Sequence, residues 1–422
     1  MSNRRQFIQK LSIGMIAPSL APDFLTIERT KFKIDSALPP EDFWKELRKE
    51  FPLTQDRVYL NNGTFGPSPA VVVEALKDSI DQIYTSGEYG NFNAERQKLA
   101  AFVGVKTSEL CLTHNTTEGI NIMTWGLPLK AGDEVILTTH EHVGNGLPWL
   151  NRAKLDGIVI KTFEPRNTQS ENFEAIKSLC GSKTKVIAVP HVTCTTGLVF
   201  PIKEISQWAK AKEIFTAIDG AHGAGIFDLD LKDLGCDFYA GCYHKWMLGP
   251  IGTGFLYVRE ELLDQLQAIH VGGYSDSGWD ITTNPPIIQG YAPTAHRYDY
   301  GTQSRPQYVG AAAAADFHEA IGKERVEKRI RELNEYLYAG LKEMSLELSL
   351  LTPEEPESRV AMVSFKPKNK DYQVVAQSLV KSSFRIRQVP ESGVNAIRVS
   401  THIYNSKEEI DDFIKALESQ LS

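Results

Sequence analysis

The chain of 422 residues contains no apolar run of the roughly 20 residues that a membrane-spanning helix needs. It also contains no run of basic residues with interleaved aromatics, and its formal net charge is −7 at pH 7. A surface of this charge argues against general binding of nucleic acid. We therefore expect a protein that is not embedded in a membrane and that has no nucleic-acid partner.

Cysteine is scarce as well, since the chain has only Cys111, Cys180, Cys194, Cys236 and Cys242. No two of them have the C-x-x-C spacing of zinc sites or thioredoxin-like sites, and an odd count gives no complete disulfide framework. We expect no metal site, and we expect most of these cysteines to be small core residues.

The N-terminus differs in composition from the rest of the chain. Arg4-Arg5 is followed by Phe7 and by a mild apolar run over residues 11–17. This pattern resembles a twin-arginine export signal, a route that moves folded proteins. We predict that residues 1–35 are an export signal and tether and that the protein is periplasmic or otherwise exported. The alternative is a basic amphipathic helix on a cytoplasmic protein.

Strand and helix patterns alternate between about residues 100 and 260. Apolar runs typical of strands lie at 134–137, 158–163, 186–189, 215–218, 238–240 and 254–258. Helical periodicity is clear at 69–85, 202–212 and 319–346. Alternation of this kind predicts an α/β fold with a mostly parallel sheet and helices on both faces.

The pattern changes after about residue 305. Strand, helix, strand and strand patterns follow one another at 359–365, 372–382, 384–389 and 396–400, and a final helix is predicted at 407–421. We predict a large domain at 61–304, a small α+β C-terminal domain at 305–422, and an N-terminal segment at 36–60 that joins the small domain.

Two short motifs stand at the ends of neighbouring predicted strands. Asp219-Gly220-Ala221-His222 follows the first strand, and Cys242-Tyr243-His244-Lys245-Trp246 follows the second. Ligands of parallel sheets bind beyond the carboxyl ends of the strands. An acid and a lysine there suit pyridoxal 5'-phosphate (PLP), because the lysine holds the cofactor as a Schiff base and the acid keeps its pyridine nitrogen protonated. Either residue alone is as well explained by a helix cap or a surface charge.

Together with Tyr59-Leu60-Asn61-Asn62-Gly63-Thr64, these motifs resemble the class V aminotransferase group of fold-type I PLP enzymes, and most of all its isopenicillin N epimerase-like branch. The resemblance runs from about residue 40 to the C-terminus. It implies a large PLP-binding domain with a mostly parallel sheet of the seven-stranded type, a smaller α+β domain, and a homodimer with shared active sites. It does not identify the substrate.

The resemblance also implies roles for single residues. Lys245 corresponds to the Schiff-base lysine and proton shuttle, and Asp219 to the partner of the pyridine nitrogen. His142 matches the histidine that stacks on the cofactor ring. His222 stands where many relatives carry glutamine, and we expect it to hydrogen-bond the cofactor's phenolic oxygen.

A phosphate site is expected near residue 116, where a threonine pair precedes a helical run, because the N-terminus of a helix attracts anions. A plain threonine N-cap is the alternative there. The resemblance implies a phosphate site formed by Thr116, Thr117, Cys242 (where the family usually has serine), His244 and, from the neighbouring subunit, Thr302.

Substrate contacts are expected from Arg398, which resembles the family's carboxylate-binding arginine, and from Asn62. The forked guanidinium matches a carboxylate with two hydrogen bonds. Cys194 occupies a position where relatives often place asparagine against the cofactor, so either this cysteine or a neighbouring threonine is expected to make that contact.

The absence of cysteine after Cys242 bears on the reaction, because cysteine desulfurases need a nucleophilic cysteine in their C-terminal part. We therefore expect a PLP-dependent transferase, epimerase or lyase, and not a cysteine desulfurase. Its reaction would take place at the α carbon of an amino acid or of a metabolite that contains one. The alternatives are a periplasmic enzyme that tailors the glutamate side chain of a siderophore, and a C–S lyase. A non-catalytic PLP-fold binding protein is disfavoured, because the lysine, the acid and the arginine are all present.

Overall fold

The computed structural model describes Phe32 and residues 34–421. The predicted export signal falls almost entirely outside the described residues. The helices are α1 (Pro40–Arg48), α2 (Ala70–Ser86), α3 (Asn93–Phe102), α4 (Thr116–Gly126), α5 (Val143–Asp156), α6 (Gln169–Leu179), α7 (Ile202–Lys210), α8 (Leu231–Leu234), α9 (Arg305–Ile321), α10 (Lys323–Glu343), α11 (Tyr372–Lys381) and α12 (Lys407–Leu421).

The strands are β1 (Val58–Tyr59), β2 (Leu110–Thr113), β3 (Glu134–Thr138), β4 (Val159–Phe163), β5 (Thr184–Ile187), β6 (Phe215–Gly220), β7 (Phe238–Cys242), β8 (Gly254–Val258), β9 (Asp276–Asp280), β10 (Ile287–Tyr291), β11 (Leu348–Leu350), β12 (Met362–Pro367), β13 (Phe384–Arg385), β14 (Arg387–Val389) and β15 (Ala396–Ser400). Each strand predicted between residues 134 and 258 is present, with ends that differ by a few residues.

A seven-stranded sheet with the order β2-β8-β7-β6-β5-β3-β4 forms the centre of the fold. Strands β3 to β7 pair in parallel, and β8 alone runs antiparallel to both of its neighbours. Successive side chains of a strand point to opposite faces, so Ala217 and Ile218 belong to two different apolar cores. Burial on both faces explains why these strands read as continuous apolar runs. The predicted α/β fold with a mostly parallel sheet is confirmed.

The C-terminal part contains a four-stranded antiparallel sheet with the order β11-β12-β15-β14. Its apolar face packs against residues such as Leu337 of α10, Leu379 of α11 and Phe413 of α12. The short strand β1 pairs in parallel with β13, which ties the N-terminal segment to this part of the chain. This is the smaller α+β unit that the sequence predicts. The domain boundaries at residues 60 and 304 stay predictions.

The helical periodicity over 319–346 belongs to two helices. Helix α9 ends at Ile321 and α10 begins at Lys323, with Gly322 between them at a φ of 94°. Glycine adopts this conformation without a steric penalty, and it breaks the run of helical hydrogen bonds. The apolar periodicity continues across the break because both helices contribute to buried cores.

Strands β9 and β10 form a hairpin that stands apart from both larger sheets. Large apolar side chains on and beside it are exposed, among them Trp279, Ile281 and Ile288. Within the described residues, no helix combines the length and the apolar composition that crossing a membrane requires.

Candidate active site

A cavity of about 250 Å³ opens at the carboxyl ends of β6 and β7. It brings together nine of the predicted site residues, namely Thr116, Thr117, His142, Asp219, His222, Cys242, His244, Lys245 and Arg398. Cys194 lines the same cavity, whereas Asn62 and Thr302 do not.

Strands β6 and β7 explain how Asp219 and Lys245 reach the same cavity. The strands are parallel neighbours, with Asp219 opposite Ala240, and Lys245 follows three residues after β7 ends. The Asp219 carboxylate is buried, and its Oδ1 accepts a hydrogen bond from the Ala221 N–H at 3.0 Å. This bond orients the carboxylate toward the cavity.

The backbone of Lys245 is held by the segment that includes Asn62. Gly66 donates its N–H to the His244 carbonyl at 2.9 Å, and a Cβ on Gly66 would lie 1.8 Å from the Lys245 carbonyl oxygen, so only glycine fits there. The Asn62 side chain lies 3.4 Å from that carbonyl through Nδ2, and its Oδ1 accepts from the Tyr404 hydroxyl at 3.0 Å. Asn62 is expected to bind substrate; in the structure its amide contacts the Lys245 carbonyl and the Tyr404 hydroxyl, and it does not line the cavity.

His222 lies beside the lysine, with Nε2 at 3.5 Å from Lys245 Nζ. Burial and then the charge of Lys245 lower the pKa of His222 well below its usual value. A neutral imidazole can donate one hydrogen bond into the cavity.

His142 is fixed as the N-cap of α5. Its Nδ1 accepts the Gly144 N–H at 3.0 Å, and burial followed by the charge of Lys245 lowers its pKa. A Cβ on Gly144 would lie 2.4 Å from the Thr117 hydroxyl oxygen, so glycine is needed where the N-terminal ends of α4 and α5 meet. The imidazole of His142 therefore has a fixed orientation at the cavity wall.

The other end of the cavity has the chemistry of an anion site. Helix α4 begins there, capped by the Asn115 side chain, which accepts the Glu118 N–H at 2.9 Å. The hydroxyl of Thr116 is buried and, apart from the Cys242 thiol beside it, has no hydrogen-bond partner among the described residues. Burial opposes the charged forms of both Cys242 and His244. The attraction between the Cys242 thiolate and the protonated His244 ring outweighs burial, so the pKa of Cys242 is lowered and that of His244 is raised.

Arg398 is 1% exposed, and its guanidinium donates to the Cys194 carbonyl at 2.6 Å and to the Thr64 hydroxyl at 3.1 Å. Its Nε has no partner among the described residues. Burial, together with the nearby charge of Arg387, lowers the pKa of Arg398 to about 9. This guanidinium therefore lacks the acceptor that a carboxylate would supply.

Arg387 is a cavity residue that the sequence analysis missed. It forms an ion pair with Glu391 and lies directly opposite Arg398 in the β14–β15 register. The sequence shows an arginine in each of two predicted strands, but it does not show their register, and the register is what places both side chains in the cavity.

Thr302 lies in a different cavity, which it shares with Tyr89, Tyr274 and His296. Within one chain it therefore does not reach the anion site around Thr116.

These residues fit PLP. The buried Thr116 hydroxyl and the helix N-terminus suit its phosphate, and the buried Asp219 carboxylate suits its pyridine nitrogen. Lys245 lies within the same cavity for covalent attachment.

Comparison with known proteins agrees with this chemistry. The family described as aminotransferase class-V matches residues 59–413. The chain is 30% identical to isopenicillin N epimerase of Streptomyces clavuligerus, over 89% of this chain and 98% of that protein. It is 28% identical to a probable cysteine desulfurase of Pyrococcus abyssi, over 90% of this chain and 97% of that protein.

Solved structures show the same fold. A C-DES variant with glycine covalently linked to the PLP cofactor matches with a TM-score of 0.80 and 27% identity, over 88% of this chain and 98% of that one. The apo cysteine desulfurase from Thermococcus onnurineus NA1 matches with a TM-score of 0.79 and 28% identity, over 92% and 99%.

The expectation that the chain is not a cysteine desulfurase is wrong, because probable cysteine desulfurases match it as closely as the epimerases do. That exclusion rested only on the absence of any cysteine after Cys242. The structure shows why the absence is insufficient. Cys194 and Cys242 both line the cavity with Lys245, so a cysteine near the lysine need not come from the C-terminal part.

The family match spans most of the chain, and the fold and the cavity agree with it. The chain belongs to the aminotransferase class V family, and it is a fold-type I enzyme whose cofactor is PLP.

Proposed function

We propose that the enzyme acts at the α carbon of an amino acid or of a metabolite that contains one. Arg398 carries this proposal. A buried guanidinium whose partners are a carbonyl, a hydroxyl and an amide oxygen is an incomplete site. A substrate carboxylate would supply the missing charge and accept two hydrogen bonds.

PLP, when bound, supplies an electron sink for the substrate's α carbon. Arg398 would hold the carboxylate, and Lys245, once released from the cofactor, would take or return the α proton at Nζ. Asp219 would hold the proton at the pyridine nitrogen. His142, His222, Thr116, Thr117, Cys242 and His244 would keep the cofactor oriented. All of these residues line the same cavity, as they must if they act on one cofactor and one substrate.

The test is to incubate the PLP-loaded enzyme with a panel of L- and D-amino acids while recording the cofactor spectrum and identifying the products. We expect the wild type to convert at least one amino acid and the Lys245→Ala variant to convert none. Borohydride should fix the cofactor to Lys245. A label on another lysine, or turnover by Lys245→Ala, would contradict the proposal.

Cleavage of a C–S bond is a second candidate. The structure of the cystine C–S lyase C-DES with its product cysteine persulfide matches this chain with a TM-score of 0.79 and 27% identity. Cys194 and Cys242 line the cavity as well. Cysteine and cystine therefore belong in the panel, with release of sulfide or persulfide as the readout. Glutamate belongs there too, because a siderophore glutamate side chain is the remaining alternative.

We propose that the enzyme is a homodimer with shared active sites. Two features of one chain support this: Thr302 lies outside the cavity of Lys245, and the large apolar side chains of Trp279 and Ile281 on and beside the β9–β10 hairpin are 62% and 69% exposed. Large apolar side chains exposed together on one element are typical of interaction sites.

We also propose export by the twin-arginine route, which Arg4-Arg5 and the following apolar run support. A reporter fused to residues 1–40 should reach the periplasm, and replacing both arginines by lysine should retain it in the cytoplasm. A wild-type fusion that stays in the cytoplasm would contradict export.

A further inference from the structure

Trp246 directly follows Lys245, and its indole N–H donates to Nδ1 of His222 at 2.8 Å. Both side chains are buried. The indole is held from its other side by His402, whose ring stacks on it with centroids 5.8 Å apart and planes at 22°. His402 also donates from Nε2 to the Trp246 carbonyl at 2.8 Å. Trp246 thus links the loop after β15 to His222.

This contact decides which nitrogen of His222 carries hydrogen. An indole N–H can only donate, so Nδ1 of His222 must accept and must be unprotonated. The buried ring is neutral, as its lowered pKa indicates. Its one hydrogen is therefore on Nε2, the atom that faces Lys245 Nζ at 3.5 Å.

We propose that Trp246 is a positioning residue that fixes neutral His222 in the Nε2–H tautomer, so that a donor and not an acceptor faces Lys245 and the cofactor. Lys245 Nζ accepts this hydrogen only when it is uncharged and so has a free lone pair, whereas a phenolic oxygen of the cofactor accepts it whatever the charge of the lysine. Without the indole, the ring can adopt the Nδ1–H tautomer, which turns a lone pair toward Lys245 and removes the donor. The proposal rests on the proposed use of this cavity, but not on the identity of the substrate.

The tautomer can be measured without turnover, by NMR of PLP-loaded enzyme labelled with ¹⁵N-histidine, with the His222 signals assigned by their loss in His222→Gln. We expect a protonated Nε2 and an unprotonated Nδ1 in the wild type, and an Nδ1–H population in Trp246→Phe. Trp149→Phe is the matched control, because Trp149 is also fully buried and its indole donates to Asn145 Oδ1 at 3.2 Å, outside the cavity lining. An Nδ1–H or imidazolium signal in the wild type, or unchanged signals in Trp246→Phe, would overturn the proposal.

Kinetics on the substrate found in the panel gives a second readout. We expect Trp246→Phe to lower kcat about tenfold with KM unchanged, the effect of losing one hydrogen bond of about 1.4 kcal/mol. In a His222→Gln background, Trp246→Phe should lower kcat little further, because the tautomer it controls is already gone. If the double variant loses kcat by the product of the two single losses, the proposal is overturned. If no amino acid is converted, the proposed function fails while the tautomer measurement still stands.

Discussion

Arg387 and Arg398 lie directly opposite each other on the antiparallel strands β14 and β15, and both line the cavity. Their surroundings differ. Arg387 is paired with Glu391, whereas the Arg398 guanidinium contacts uncharged acceptors. Only Arg398 is therefore expected to need a carboxylate from the substrate.

We predict that Arg398→Lys raises KM by roughly 10- to 100-fold and changes kcat less, because lysine keeps the charge but loses the fork that binds a carboxylate with two bonds. This range corresponds to the loss of about 1.5–3 kcal/mol for a charged hydrogen bond. Steady-state kinetics measures it. Arg387→Lys is the matched control and should have the smaller effect; if it raises KM as much as Arg398→Lys, the assignment is wrong.

Asp219→Asn should retain PLP and slow removal of the α proton about 100-fold or more, equal to about 2.7 kcal/mol in the barrier. The amide oxygen can still accept the Ala221 N–H, but it cannot keep the ring nitrogen protonated, and a neutral ring withdraws fewer electrons. Exchange of the α hydrogen in deuterated water reports this step directly. A variant that exchanges at the wild-type rate would remove Asp219 from this role.

Thr302→Ala should weaken PLP retention by roughly 10- to 100-fold if the partner subunit donates this hydroxyl to the phosphate, since a hydrogen bond to a charged group contributes about 1.5–3 kcal/mol. Dialysis followed by cofactor absorbance measures the loss. Thr162→Ala, at an exposed threonine on the edge strand β4, is the control. Dilution to monomer should release PLP in parallel, and a stable monomer that keeps its PLP would contradict the shared site.

Stability should fall in mild acid because several histidines, among them His191, His222, His318 and His402, are buried as neutral rings. Burial lowers the pKa of His191 and His402 to about 3 and that of His318 to about 4. Unfolded histidine titrates near 6.5, so below that pH the unfolded chain binds protons that the folded protein excludes. Each ring then costs about 2 kcal/mol of unfolding free energy between pH 7 and pH 5.

Urea unfolding at a series of pH values checks this prediction. His318→Gln should reduce the loss of stability between pH 7 and pH 5 by about 2 kcal/mol, whereas the exposed His270→Gln should leave it unchanged. A His318→Gln variant with the full wild-type pH dependence would show that this ring is not the source of the acid sensitivity.

Much of the site could be predicted because its chemistry follows strand ends. Asp219 and Lys245 each stand just where an apolar strand stops, and parallel neighbouring strands end at the same edge of a sheet. The helix start at Thr116 was visible for a similar reason, since a polar capping residue precedes an apolar run. Strand ends and helix caps depend on neighbouring residues in the chain, so the sequence alone indicates them.

The tertiary structure decided what depends on contacts between distant segments. The register of β14 and β15 brings Arg387 opposite Arg398. The side-chain amide of Asn62 contacts Tyr404 and Lys245, so Asn62 does not line the cavity. Likewise, Trp246 meets His222 only because the loops after β6 and β7 fold against each other. The sequence by itself determined the sheet, the cofactor and the positions of the acid and the lysine. Hydrogen bonds between segments far apart in the chain decided which remaining side chains face the cavity, because period and composition do not encode such pairings.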